Sequence, residues 1–180
     1  EIIKDAQIYI REFLENIIEK NLDCLDFIKC PDYQLPLFNG ASENSFNQLD
    51  EYLINKTRKK NTESIIGGLF RFKHKNHLVF FDVARPPKKN FSKCYQSGPL
   101  SFEYFLDGVK IISNSGFGNN ISSKTELISR LTACQSTLTL NDTSVSKFER
   151  NKLINKVFGN SIQDSFKIHN LNFSNEKNLI

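Results

Sequence analysis

Near the amino end, apolar side chains recur every three or four residues. Ile3, Ala6, Ile10, Phe13, Leu14 and Ile17 are apolar, with Lys4, Arg11, Glu12, Glu15 and Glu19 between them. This spacing predicts an amphipathic helix over residues 2–20, whose apolar stripe needs a partner surface. From Cys30 to Asn47 the periodicity breaks. Pro31, Pro36, Asn39 and Gly40 punctuate an irregular segment anchored by Leu35, Leu37 and Phe38. Asn44 or Ser45 is placed to cap a second helix running to about Arg58, with Leu49, Tyr52 and Leu53 on its apolar face.

At Ile65 the period falls from helical to two. Ile65 to Phe72 and His77 to Val83 are rich in β-branched and aromatic residues and predict a hairpin through Lys73-His74-Lys75-Asn76. Pro86 and Pro87 stop the second strand. Leu100 to Leu106 alternates, with Leu100, Phe102, Tyr104 and Leu106 on the expected apolar face. Asp107-Gly108 is a two-residue hairpin signal, and Val109 to Ser113 is the returning strand. Thr137 to Leu140 reads as a further strand before an Asn141-Asp142 turn, and Ser165 to His169 as a short one. Phe148 to Phe158 fits strand or helix. Helix followed by runs of short antiparallel strands predicts an α+β chain: a helical part over residues 1–60, then an antiparallel β-sandwich over 65–180.

Composition narrows the function classes. A hydrophobic content of 39% argues against wholesale disorder, and a net charge of +4 is mild. The densest cations, Lys56, Arg58, Lys59 and Lys60, lack the interleaved aromatics of a single-strand nucleic-acid platform, so nucleic acid is not an expected partner. No stretch approaches the ~20 apolar residues of a membrane span, and no export leader is visible. The absence of methionine, even at position 1, reads as a fragment or a processed chain. Cys24, Cys30, Cys94 and Cys134 fit no zinc spacing. Cys24 and Cys30 are able to pair in an oxidising compartment, or to remain buried thiols. His74, His77 and His169 read as surface or structural residues. Nucleotide-loop, serine-hydrolase and zinc-protease motifs are absent, and Glu103 sits alone among apolar strand neighbours.

One stretch is more informative. Cys94-Tyr95-Gln96-Ser97-Gly98-Pro99-Leu100-Ser101-Phe102-Glu103 is followed by Val109 to Gly116, and later by Arg130-Leu131-Thr132-Ala133-Cys134-Gln135-Ser136-Thr137-Leu138. With Leu37-Phe38-Asn39-Gly40, Gly68-Leu69-Phe70-Arg71 and Asp82-Val83-Ala84-Arg85-Pro86-Pro87 upstream, this order resembles the heparinase II/III-like polysaccharide lyases over residues 30–145. The resemblance implies a piece of a larger two-part protein, the end of an α/α toroid feeding a supersandwich-like β domain. It implies β-elimination on an acidic, uronate-containing polysaccharide. The base and acid, usually Tyr and His, would come from the helical domain. It also implies a periplasmic or cell-envelope setting.

The departures are specific. The family's two sandwich histidines fall on Gln96 and Gln135, its acidic ligand falls on Asn114, and a further histidine falls near Cys94. Where the family binds structural zinc through such a trio, neutral amides are poor ligands, so no metal and no cofactor is expected. Gln96, Asn114 and Gln135 are instead expected either to form an amide hydrogen-bond cluster or to lie as three unrelated exposed amides. A non-catalytic carbohydrate-binding or structural module is the alternative function.

Overall fold

The computed structural model describes residues 2–42 and 64–170. Helix α1 (Ile2–Ile28, 27 residues) runs eight residues past the expected end. The reason is that Leu22 and Phe27 continue the apolar spacing, and both are buried. Pro31 biases Cys30 away from helical backbone and ends the run. The earlier part of the stripe, including Ile10, Phe13, Leu14 and Ile17, is exposed. The expected second helix lies outside the described residues.

Five strands form one antiparallel meander: β1 (Ile65–Ile66), β2 (Leu69–His74), β3 (His77–Asp82), β4 (Phe102–Leu106) and β5 (Val109–Ile112), in that order. The expected single strand from Ile65 to Phe72 is broken, because Gly67 and Gly68 take positive φ and turn the chain between β1 and β2. The β2–β3 hairpin turns on Lys75 and Asn76, with His74 opposite His77 in register. The Asp107-Gly108 turn joins β4 to β5, both residues at positive φ as a two-residue hairpin requires.

The buried face of β4 reverses the expectation. Phe102, Tyr104 and Leu106 are half-buried, while Glu103 and Phe105 are fully buried. The register explains it: Glu103 pairs with Phe80 and Phe105 with Leu78, the inward residues of β3. Leu100 precedes the strand at φ 56° and is exposed. Phe80 and Phe105 meet edge to face at 6.3 Å, with Cys30, Phe38 and Leu78 closing the main core. Burying a side chain of this size contributes about 1.5–3 kcal/mol. The opposite sheet face carries an aromatic ladder, Phe70–Phe81 at 6.3 Å and Phe81–Phe102 at 5.4 Å. Apolar residues on both faces are what a sheet covered on both sides would carry.

A second core of Tyr95, Phe148 and Ile162 joins the long β3–β4 connection to a two-stranded sheet, β6 (Lys147–Phe148) and β7 (Ile162–Asp164). Between β5 and β6 lies α2 (Ser123–Ile128), not anticipated from the pattern, with the Ser122 hydroxyl accepting from Thr125 N. The ambiguous 148–158 stretch resolves as a strand end followed by α3 (Lys152–Phe158), capped by the Asn151 side chain. Residues Thr137 to Leu140 are not a strand. Leu138 and Leu140 are exposed, and only an isolated bridge, Leu140 to Thr143, spans the Asn141-Asp142 turn. The strand expected at Ser165 to His169 lies earlier. It stops at Asp164, whose carboxylate accepts from Ser165 N.

All four cysteines are free thiols, and burial pushes the Cys30 thiol well up. Among the described residues, no helix is long and apolar enough to cross a membrane.

Asp82 ties the upstream segment to this sheet. It is 5% exposed, and its carboxylate accepts from Ala84 N (3.0 Å) and from Asn39 Nδ2 (2.8 Å). Burial raises its pKa, and the two hydrogen bonds only partly counter that. The folded chain therefore holds this proton more tightly than the unfolded chain. The linked contribution is full below the unfolded carboxylate range and is lost as pH rises through the raised native pKa. Asp82→Asn should flatten that fall. Urea unfolding across a pH series checks it, and parallel curves for the two proteins would contradict the assignment.

Candidate functional site

The three amides arrive from separate parts of the chain. Gln96 lies in the β3–β4 connection, Asn114 two residues past β5, and Gln135 directly after a 3-10 turn at Thr132–Cys134. They are 2%, 4% and 8% exposed, so they are not scattered surface groups.

Gln96 and Gln135 converge on one atom. Gln96 Nε2 donates to the Ser129 carbonyl at 3.0 Å, and Gln135 Nε2 donates to the same oxygen at 2.7 Å. Gln96 Nε2 also donates to the Gly116 carbonyl (3.0 Å), and its Oε1 accepts from Gly40 N (3.1 Å). Gly40 allows this approach because it sits at φ +100°, and a Cβ there would lie 2.7 Å from Cys94 Cβ. Gly98 makes room in the same way: an added Cβ would meet Gln135 Cγ at 2.8 Å. Asn114 joins through Ser136, whose N and Oγ both donate to Asn114 Oδ1 at 2.9 Å. Asn114 Nδ2 is buried and has no protein partner. The amides are thus brought into one buried region, but their hydrogen bonds run to main chain and Ser136, not to one another.

Glu103 supports this region, a role the alternation in β4 had hidden. Its Oε1 accepts from Asn114 N and Ser113 Oγ, each at 3.1 Å. Its Oε2 pairs with Lys110 Nζ at 3.4 Å, and Lys110 reaches Asp32 at 3.6 Å. A carboxylate in the buried phase of a strand needs such partners. That misplaced charge was the one sequence signal that could have found it. Ser129 and Ser136 carried no comparable signal.

The donor set does not suit zinc. Gln96 and Gln135 turn N–H groups, which carry no lone pair for a metal, toward shared carbonyls, and Asn114 Oδ1 is already occupied by two donors. Among the described residues, no three or more His, Cys, Asp or Glu side chains are grouped to hold a metal. His77 instead bonds Tyr104 OH through Nδ1 at 2.7 Å, and Cys94 is exposed. Metal analysis of purified protein should return well below one zinc per chain; an equivalent surviving dialysis would overturn this assignment.

No curated protein sequence matches the chain. The fold is similar to a mutant of the heparan sulfate lyase HepC from Pedobacter heparinus, with TM-score 0.57 and 20% identity over 81% of this chain and 27% of that one. It is also similar to a heparinase III gene product, with TM-score 0.53 and 19% identity over 77% of this chain and 26% of that one. A further heparinase III matches with TM-score 0.52 and 13% identity, over 74% of this chain and 28% of that one. At these identities the likeness carries the fold alone, and the chain spans about a quarter of each structure's length. Residues 65–176, more than half the chain, match the family described as Heparinase II/III-like, C-terminal. The chain therefore belongs to the heparinase II/III-like C-terminal family.

Proposed function

We propose that this chain is the β-domain portion, with an attached helical end, of a protein that cleaves an acidic, uronate-containing polysaccharide by β-elimination. Residues 1–60 close a helical domain and 65–180 form its β domain. The family match over 65–176 is the observation that carries this reading. The exposed apolar residues of α1, such as Phe13 and Ile17, support an attached helical part. In β-elimination a base removes the proton beside the uronate carboxylate, and the glycosidic oxygen leaves. Proton removal needs a positioned base and a neutralised carboxylate; the freed electron pair forms the carbon–carbon double bond as the carbon–oxygen bond breaks, and the departing oxygen takes a proton from the acid. Family resemblance assigns base and acid to the helical domain, so Gln96, Asn114 and Gln135 shape the β domain rather than perform chemistry. A periplasmic or cell-envelope setting follows from the same family reading.

The protein carrying its helical domain should produce unsaturated uronates from an acidic glycan, read as rising ultraviolet absorbance. No rise across a panel of acidic glycans, with glycan binding retained, would favour the second reading, a non-catalytic carbohydrate-binding or structural module. What supports that alternative is that Gln96 and Gln135, which the family resemblance sets against imidazoles, are amides whose N–H groups bond to main-chain carbonyls.

A further inference from the structure

A cleft of about 440 Å³ opens where the end of α1 meets the β2–β3 and β4–β5 turns. None of the three amides lines it. Its fixed cations are Lys29, Arg71, Lys73 and Lys75, against the carboxylates of Asp26 and Asp107. The C-terminal end of α1 contributes only about half a negative charge, too little to cancel the excess.

Arg71 is the informative residue. Its guanidinium lies 5.9 Å from the rings of both Phe27 and Phe80, which hold it in place. Its Nε is buried and has no hydrogen-bond partner. The contrast with Lys110 is direct. That residue, on β5 at the far edge of the sheet, spends its charge on Glu103 and Asp32. Lys73 follows Arg71 on the same sheet face, opposite buried Leu78, and is itself exposed at the cleft. Lys75 stands in the hairpin turn at φ 52°. A planar guanidinium lining the cleft with its Nε unpaired, flanked by two exposed ammonium groups, matches a tetrahedral or planar oxyanion.

We propose that this cleft binds a sulfate or carboxylate group carried on an acidic sugar, with Arg71 as the forked donor and Lys73 and Lys75 as accompanying charges. The choice of ligand rests on the acidic-glycan reading above. The cleft adds a contact that grips the polymer away from the amide region.

The test titrates the 180-residue chain with three probes at fixed ionic strength, following backbone amide NMR shifts. The probes are inorganic sulfate, a sulfated uronate disaccharide and its unsulfated counterpart. Saturable shifts at Arg71, Lys73 and Asn76 with either saccharide are expected. Arg71→Gln should weaken saccharide binding at least about tenfold. The exposed pair Lys73→Gln/Lys75→Gln should do the same, and it keeps the test decisive if Arg71→Gln unfolds. A matched change of exposed lysines elsewhere, Lys124→Gln/Lys147→Gln, should shift affinity less than about twofold. Equal binding by the wild-type chain and the cleft variants would overturn the cleft while leaving the acidic-glycan reading intact. Equal losses from cleft and control pairs would overturn it as general charge attraction. No saturable binding of any probe would overturn it too, and the lyase assay of the longer protein would then judge the glycan reading separately.

Discussion

Replacing Arg130 with methionine is expected to destabilise the chain by about 3 kcal/mol, more than any conservative surface change would. Arg130 is fully buried, and its hydrogen bonds run to main-chain carbonyls, with the Glu126 carboxylate acting only as a nearby charge. Its Nε donates to the Tyr95 carbonyl (2.8 Å), one Nη to the Ser92 carbonyl (2.7 Å) and the other to the Asn160 carbonyl. The guanidinium lies 4.2 Å from the Phe148 ring centre. One side chain thus joins the β3–β4 connection to the β6–β7 sheet. Burial lowers its pKa to about 10, which leaves it charged at neutral pH. Methionine keeps much of the volume but strands the Tyr95 and Asn160 carbonyls, each costing about 1 kcal/mol or more, while the Ser92 carbonyl keeps only its bond from Tyr95 N (3.1 Å). Relief of the buried charge offsets part of the loss, because isolated charges are expensive to bury. The midpoint of thermal unfolding should fall by roughly 6–12 °C. A shift below about 2 °C would mean that water replaces the guanidinium without penalty.

The second large effect concerns Glu103. Glu103→Ala should cost about 3–5 kcal/mol, the range for breaking a buried ion pair by removing one partner. It leaves Lys110, with a side chain only 15% exposed, facing Asp32 alone, and it frees Asn114 N. Lys110→Met should be costly by itself. The double change Glu103→Leu/Lys110→Met should cost clearly less than the two single losses together, because the desolvated charges disappear as a pair. Additive losses in urea unfolding would show that the two groups act independently. The Asn114 amide resonance should move in every Glu103 variant, since the carboxylate accepts its hydrogen bond.

These two residues also mark where pattern reading stops. Arg130 and Glu103 are charged, so a hydrophobicity argument places both outside. The structure buries both, and their partners come from segments up to 38 positions away in sequence. No local window contains that information.

The sheet was far more legible. The hairpin at Asp107-Gly108 and the pairing of β2 with β3 follow from turn chemistry and β-branched runs, which are local properties of the chain. Errors arose where local preference met a tertiary partner. Leu138 and Leu140 look like strand residues, but among the described residues the pairing there is a single isolated bridge, Leu140 to Thr143, and both leucines are exposed. The helix α1 outran its expected end because Leu22 and Phe27 continue its apolar spacing and are buried in the fold.

The candidate site divides in the same way. The α+β class and the two hairpins, β2 with β3 and β4 with β5, were legible along the chain, because period and turn residues are local properties; that Gln96, Asn114 and Gln135 stand at family motif positions is what the resemblance implies. Only the tertiary structure decided that Gln96 and Gln135 share the Ser129 carbonyl, that Glu103 is buried beside Lys110, and that Arg71 lines a cleft with its Nε unpaired. Each of these depends on which groups lose contact with water when distant segments meet. Desolvation is a property of the folded surface, and no stretch of sequence carries it alone.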